Sequence, residues 1–374
     1  MKKPVLFVGI DVDDKSFHVA GTQGSQGGKA CELAFEFKCK PSVAALFKCL
    51  ETKQQGGFEL KCCYEATYLG YTLKRSLESK GIGCEVIAPS LVPRKAGKKV
   101  KTDRIDAGKL AKFYASGELT VVHAPSEQEE ADRDFIRSRN FSKDLAKSLK
   151  GHIISVCRRL GLDYKASTGC PSFWTDKHRN WLQSMANQQT ERVKENLNAL
   201  ILQLHDIEKA ICFYDEKIVE LSQTPKYKPV TKALCCFRGI STHSAMVLAT
   251  EFVDIRRFAH PKQTAGYAGL DIVEYSSGGH ERKYSITKDG NRHIRTVAVE
   301  AMQTPWTQPK VGKRLSKDRQ GAPPSVIAIA DKCMARLHKK STRMLYAGKG
   351  KNKIKVACAR ELLCFVWEAM NEVA

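Results

Sequence analysis

Nine apolar residues, Val193, Leu197, Leu200, Leu204, Ile207, Ile211, Tyr214, Ile218 and Leu221, follow one another at alternating spacings of four and three. Four heptads pass without a slip, which constrains this stretch to one long helix with a single apolar seam. A 3.5-residue period of that persistence reads as a coiled coil. Flanking charges such as Lys194, Glu195, Glu208 and Lys209 agree with it. The seam can be closed in two ways. A second copy of the chain would give a dimer or tetramer, which the pattern favours. Residues 128–160, also helix-like, would instead close it as an intramolecular hairpin. The connector 162–190, a mixture of Gly, Ser, Thr, Pro and Trp, reads as irregular.

The chain changes character on either side. Residues 1–125 read as an α/β domain. A continuous apolar run at 5–10 is the pattern of a central strand covered on both faces. Alternating strands follow at 16–22 and 33–37, then a helix through Val43, Leu46, Phe47 and Leu50. A strand at 58–64, a helix at 68–80 and a strand at 84–88 come next. Thr102 is placed to cap a last helix running from Asp103 towards Ala115. The order β-β-β-α-β-α-β-α is that of a ribonuclease-H-like sheet. Residues 126–230 form the helical, coiled-coil middle, and residues 231–374 a compact, mostly α segment. The stretch 234–252 reads equally as a helix-hairpin-helix, whose Gly turn offers N–H groups to a phosphate, or as a plain helical turn.

Charge narrows the partner. The 374 residues carry 62 Lys plus Arg against 40 Asp plus Glu, a formal +22. Residues 310–355 hold 14 of these cations against Asp318 and Asp331, so this segment alone supplies +12. A second knot, Arg94, Lys95, Lys98, Lys99 and Lys101, contains no acid. Either cluster alone is an ordinary solvated face. Together, in a chain with 42% hydrophobic residues and hence a real core, they point to nucleic acid, whose phosphates such clusters contact. No stretch has the apolar length of a bilayer span, so no membrane is expected. The opening residues lack a signal-peptide cleavage site. The 14 cysteines include no C-x-x-C, and the ten histidines fall in no ligand spacing. Reduced thiols in a cytoplasmic, nucleoid-associated protein are the expectation, without disulfide or zinc.

Four acids stand where chemistry can be built. Asp11 ends the first strand, Glu65 ends the fourth, and Asp103 and Asp106 lie three apart at a helix start. On a ribonuclease-H-like sheet the first and fourth strands are neighbours and that helix packs across them, so the carboxylates converge. Converging carboxylates stay ionised only with cations between them, and Mg²⁺, or Mn²⁺, suits such oxygen ligands. Singly, each acid has an ordinary reading as a turn residue, a surface charge or a helix-N-terminal acid.

The motifs around these acids carry a resemblance. Val8-Gly9-Ile10-Asp11, Tyr64-Glu65-Ala66-Thr67 and the segment 101–107 resemble the Asp-Glu-Asp-Asp signature of DEDD transposases of the insertion-sequence "one-ten" family. That family includes the bridge-RNA-guided recombinases and is related to the Piv-type invertases. Residues 258–270, 275–279 and 286–295 resemble its transposase domain, with departures at Tyr68 and Ile272. The resemblance implies a RuvC-like first domain holding metal through Asp11, Glu65, Asp103 and Asp106. It implies a transposase domain at 231–374 whose Ser277 is the nucleophile. Ser276 is the rival for that role, and a Gly/Ser loop without chemistry is the ordinary reading. Arg282, Lys283, Lys288, Arg292 and Arg295 follow, cations suited to a phosphoryl transition state. The implied partners are DNA (element ends and target), a structured guide RNA, and further copies of the chain joined through the coiled coil. The expected activity is transposition or recombination through a phosphoserine link. An invertase of the same chemistry, a RuvC-like nuclease using no serine, and a dimeric nucleic-acid-binding protein with a degenerate site are the alternatives.

Overall fold

The computed structural model describes residues 3–23, 32–93, 103–277 and 280–374, and of residues 103–104, 274–277 and 280–284 the backbone alone. The chain divides into two units, Met1–Pro125 and Ser126–Ala374.

The first unit is built on a mixed sheet. Its elements are β1 (Val5–Val12), β2 (Phe17–Thr22), β3 (Phe35–Cys39), α1 (Val43–Gln55), β4 (Glu59–Glu65), α2 (Thr72–Glu78), β5 (Gly83–Ile87) and α3 (Asp103–Ser116). The strand order is β3-β2-β1-β4-β5, antiparallel across β3-β2-β1 and parallel across β1-β4-β5. The apolar run of β1 makes it the central strand, with Val8 and Ile10 fully buried. One face of the sheet packs on α1 and α2 through Leu46, Leu50, Leu73 and Leu77. The other face carries α3, whose Leu110 packs with Cys63 and Ile87. Every described cysteine is free. Thr102, expected to cap α3, lies outside the described residues.

The approach of α3 to the sheet is set by Gly9. A Cβ on this residue would lie 2.3 Å from the Ala107 carbonyl oxygen and 2.5 Å from the Ala111 nitrogen. Only a residue without a side chain lets the helix backbone settle there. Phe7, two residues earlier on the same face, meets Tyr114 edge-on at 5.6 Å. Moving up β1 from Phe7 to Gly9 therefore moves down α3 from Tyr114 to Ala107, so the helix runs antiparallel to the strand.

The second unit is mostly helical. It contains α4 (Glu127–Arg159), α5 (Tyr164–Thr168), α6 (Asp176–Asn187), α7 (Glu191–Ser222), α8 (Lys228–Cys235), α9 (Thr242–Phe252) and α10 (Lys262–Tyr267). The hairpin of β6 (Ile272–Ser277) and β7 (His280–Ile286) precedes α11 (Arg292–Ala301), α12 (Lys313–Arg319), α13 (Pro324–Tyr346) and α14 (Lys351–Asn371). A capping box starts α4: the Ser126 hydroxyl accepts from the Glu129 N–H, and the Glu129 carboxylate accepts from the Ser126 N–H. The heptad seam is one unbroken helix. Its Leu197, Leu204 and Ile211 are buried against Ala146, Ile153 and Val156 of α4 and Leu182 of α6, which makes α4 and α7 an intramolecular pair. Leu202, Phe213 and Val219, off the seam, remain exposed.

Residues 162–190, expected to be irregular, are ordered by caps and aromatic packing. Asp163 caps α5 and Thr175 caps α6. The ring of His178 stands edge-on to Tyr164, Phe173 and Trp174 and stacks on Trp181. The basic segment 310–355 is folded too. Arg319 pairs with Asp331, while Arg336 and Lys340 share Glu361 of α14, an acid beyond the segment counted in the sequence. Among the described residues no helix is long and apolar enough to cross a membrane.

Two stability measurements follow. Gly9→Ala should lower stability by about 2–3 kcal/mol or prevent folding of the first unit, seen as a lower urea midpoint, because the added methyl has no space. Leu204→Ala should cost about 3 kcal/mol in chemical denaturation. That loss should be the same across a wide range of protein concentration, since α4 of the same chain covers the seam.

Candidate functional site

Strand register brings two of the expected acids together. Ile10 pairs with Tyr64 across the parallel β1–β4 ladder, so Asp11 and Glu65, one residue on, occupy neighbouring positions at the carboxyl ends of both strands. Adjacent strands are about 4.8 Å apart. Side chains alternate along a strand, so Asp11 shares the face of Gly9, the face covered by α3. Glu65 likewise shares the face of Cys63, whose thiol reaches the Leu110 carbonyl of α3 at 3.9 Å. Burial pushes the Cys63 thiol well up, helped by Cys84 and then by the carboxylates of Glu65 and Glu85. Both acids thus lie on the α3 side of the sheet.

The antiparallel run of α3 places its first turn at the same end. Asp106 is the residue before Ala107, which meets Gly9, and it accepts from Lys109 Nζ at 2.8 Å. Asp103 begins α3, and its side chain lies outside the described residues. Among the described residues no group of three or more His, Cys, Asp or Glu has metal-site geometry. The three described acids supply only hard oxygen donors, a set that fits Mg²⁺ or Mn²⁺ rather than zinc. Tyr64 fixes the strand end from the opposite face. Its hydroxyl donates to the Gly70 carbonyl at 2.7 Å and accepts from the Lys74 N–H, which anchors the loop after Glu65. His18, directly across β2 from Asp11, is a neighbour the sequence reading missed; only the register reveals it.

The segments expected to carry the nucleophile form a scaffold in the second unit. Ser277 is the last residue of β6, opposite His280, and Ser276 lies opposite Glu281. The side chains of both serines, and of Arg282 and Lys283, lie outside the described residues, as do Gly278 and Gly279. The basic knot with Arg94, Lys98, Lys99 and Lys101 lies outside them as well. Behind the hairpin the motif residues interlock. Gly290, at φ 141°, comes so close to Tyr267 that a Cβ would lie 2.4 Å from its carbonyl oxygen. Arg295 donates to the carbonyls of Ala268 (2.7 Å) and Lys288 (3.3 Å), so its guanidinium holds the two strand-flanking loops together. Lys288 is exposed at φ 60°, and Arg292 is exposed at the first position of α11.

Asn291 joins this scaffold to a buried ion pair. Its side-chain oxygen caps α11, and its Nδ2 donates to Glu251 Oε2 at 2.7 Å. Glu251, only 2% exposed, also receives a bidentate pair from Arg137 of α4 at 2.7 and 2.8 Å. Burial alone would raise this carboxyl, but Arg137 and Asn291 outweigh it and hold Glu251 below the usual carboxylate range. Sequence spacing carries no sign of this pair, whose members are 114 residues apart. At the 234–252 stretch, Gly239 adopts φ 89° and abuts the Ala301 carbonyl, while Ser241 caps α9 through the Ser244 N–H. His243 follows on α9; burial, aided by Arg139, pushes it down to about 4.

Comparison with known proteins comes to the same segments. Residues 231–314 match the Transposase IS116/IS110/IS902 family. The chain is 31% identical to a putative transposase of Sinorhizobium fredii, y4qE, over 98% of this chain and 88% of that protein. It is 29% identical to the transposase for insertion sequence element IS1533 of Leptospira borgpetersenii, over 91% and 96% of the two chains. The transposase for IS1111A of Coxiella burnetii matches at 25% identity over 60% of each.

Both buried groups set a pH dependence of stability. His243 has a folded value near 4 against about 6.5 when unfolded, so the unfolded chain takes up its proton first. Stability should fall by up to about 3 kcal/mol as pH drops from 6.5 to 4, and His243→Gln should flatten that limb in urea titrations. Glu251 acts lower. Its contribution is complete above about pH 4.3 and is lost as pH falls through its depressed folded value. Glu251→Gln should cost about 2 kcal/mol at neutral pH, less than for a fully buried pair because Arg137 is 38% exposed.

Proposed function

The chain belongs to the IS116/IS110/IS902 family of insertion-sequence transposases, and on that premise we propose that it cuts and rejoins DNA with two groups of residues. The first is a ribonuclease-H-like, RuvC-type carboxylate site of Asp11, Glu65, Asp103 and Asp106. The second is the nucleophile Ser277. The observation that carries the reading is the register of β1 and β4, with Asp11 and Glu65 side by side on the face where α3 begins. Mg²⁺ or Mn²⁺ held by these acids would supply charge neutralisation for phosphodiester chemistry.

The residues of the chain divide the work. Ser277 Oγ attacks a backbone phosphorus; the Oγ–P bond forms as a bridging P–O bond breaks. The serine proton passes to a base, and the departing strand end takes up a proton as a hydroxyl. A hydroxyl on a second strand then attacks the phosphoserine, restoring the serine and joining the strands. Lys288, exposed just before the Asn291 cap, would face the charge that develops on phosphate. Gly290 and Arg295 tie together the loops at the base of the hairpin whose β6 ends on Ser277.

Two further parts of the proposal rest on the resemblance and the charge. A structured RNA from the mobile element serves as guide, as the resemblance implies, and the surplus of +22 suits RNA as well as DNA. The chain acts as a dimer or tetramer. With α4 covering the seam of α7, Leu202 and Phe213, eleven residues apart on one face of that helix and both exposed, offer an apolar contact for another copy.

Single substitutions separate this reading from a hydrolytic nuclease that uses the four acids alone. Asp11→Asn and Glu65→Gln should each lower cleavage of element-end DNA by at least a hundredfold while leaving binding within about twofold. Ser277→Ala should abolish strand transfer. Continued cleavage by Ser277→Ala would establish the nuclease instead, and undiminished activity of Asp11→Asn would remove the carboxylate site.

A further inference from the structure

A groove of about 1100 Å³ runs through the second unit between α4, α7, α9 and α11. One stripe of α4 lines it with Arg139, Lys143, Lys147 and Lys150, spaced four, four and three, and Arg292 faces it from α11. The stripe spans about 16 Å of helix, a length over which one DNA strand carries about five phosphates. Three carboxylates, Asp144, Glu208 and Glu300, also line the groove, and Glu208 is already held by Lys150 and Arg179 at 2.7 and 2.9 Å. Arg139 is spent on Asp215. Lys143, Lys147 and Arg292 are exposed and have no ion-pair partner among the described residues. Three cations are thus left to a ligand from solution.

The groove also presents aromatic faces. Phe141 is 64% exposed on its wall. Trp174 lines it at φ 66°, a conformation bulky residues rarely adopt, with its backbone N–H donating to His178 Nδ1 and the Lys150 ammonium 5.4 Å from its ring. The regularly spaced cations match the even phosphates of a nucleic-acid backbone, a repeat an acidic peptide lacks, and the two rings give the cleft apolar walls beside them. The Nε2 of His243, buried in the floor, has no hydrogen-bond partner.

We infer that this groove grips the sugar-phosphate backbone of the DNA on which the chain acts, through Lys143, Lys147 and Arg292. The inference rests on the proposed DNA-rejoining function but not on its carboxylates or serine. The site supplies affinity and orientation without reading bases. None of the three residues belongs to the basic knot or to the segment 310–355.

The test is fluorescence anisotropy with labelled element-end duplex DNA and, in parallel, with a labelled structured RNA, across a range of salt. It compares the wild-type chain, the triple variant Lys143→Ala/Lys147→Ala/Arg292→Ala, and the control Lys194→Ala/Lys217→Ala/Lys228→Ala, which removes equal charge from exposed positions outside the groove. All substituted side chains are exposed, and equal thermal midpoints would verify folding. The groove variant should bind DNA at least tenfold more weakly near 0.1 M salt, with the log–log salt slope reduced by about 3, while the control stays near wild type. Equal losses in both variants, an unchanged groove variant, or a loss confined to structured RNA would each overturn the assignment. A wild-type chain without salt-dependent DNA affinity would overturn both this inference and the function on which it rests.

Discussion

The contact of α3 with β1 at Gly9 is the constraint on which the first unit's chemistry depends. A side chain there would collide with the backbone of Ala107 and Ala111, so the helix reaches the sheet only because the strand has nothing at that position. Leu110 then fills the space over Cys63 and Ile87, and Tyr114 closes on Phe7. The direction of α3 follows from these contacts, and with it the end of the sheet where its aspartates fall. A single absent methyl therefore links core packing to the placement of acids one turn away. The cost of gathering carboxylates is met by local partners such as Lys109, and in the proposed function by a cation.

A comparable economy operates in the second unit, where the residues behind the β6–β7 hairpin serve architecture. Glu251 receives Arg137 from α4 and Asn291 from the start of α11, so one buried carboxylate fixes three segments distant in sequence. Breaking such a pair is costly because it strands a charge away from water. Gly269 and Gly290 bring two loops within backbone contact, and Arg295 clamps them. Within the segment 286–295, Gly290, Asn291 and Arg295 thus hold together the loops at the base of a short hairpin.

Much of this was legible in the chain itself, for physical reasons that differ by region. The strands of the first unit announced themselves because a central parallel strand must be apolar throughout and its neighbours alternate. The acids were legible as strand-end and helix-start residues, yet His18 was not, since only register puts it opposite Asp11. The heptads of α7 fixed a long helix but not its partner, because a period of 3.5 is satisfied equally by α4 of the same chain and by a second copy. Residues 162–190 looked irregular because their order comes from rings converging on His178, a contact with no periodic signature. The tally of charge in 310–355 missed Glu361, an acid that α14 returns to Arg336 and Lys340. The stripe of cations on α4 went unremarked in the sequence, because its groove exists only with α7, α9 and α11 in place.

The central claim is that the acids of the first unit and the serine of the second belong to one DNA-rejoining reaction. Trapping its intermediate tests that most directly. The purified chain, supplied with Mg²⁺, element-end DNA and the non-coding RNA flanking its element, would be denatured and digested, and its peptides searched by mass spectrometry for covalently attached nucleotide. The account predicts a nucleotide adduct on the peptide carrying Ser277, present with the wild-type chain and absent from Asp11→Asn. Cleaved DNA with no attached peptide would contradict it.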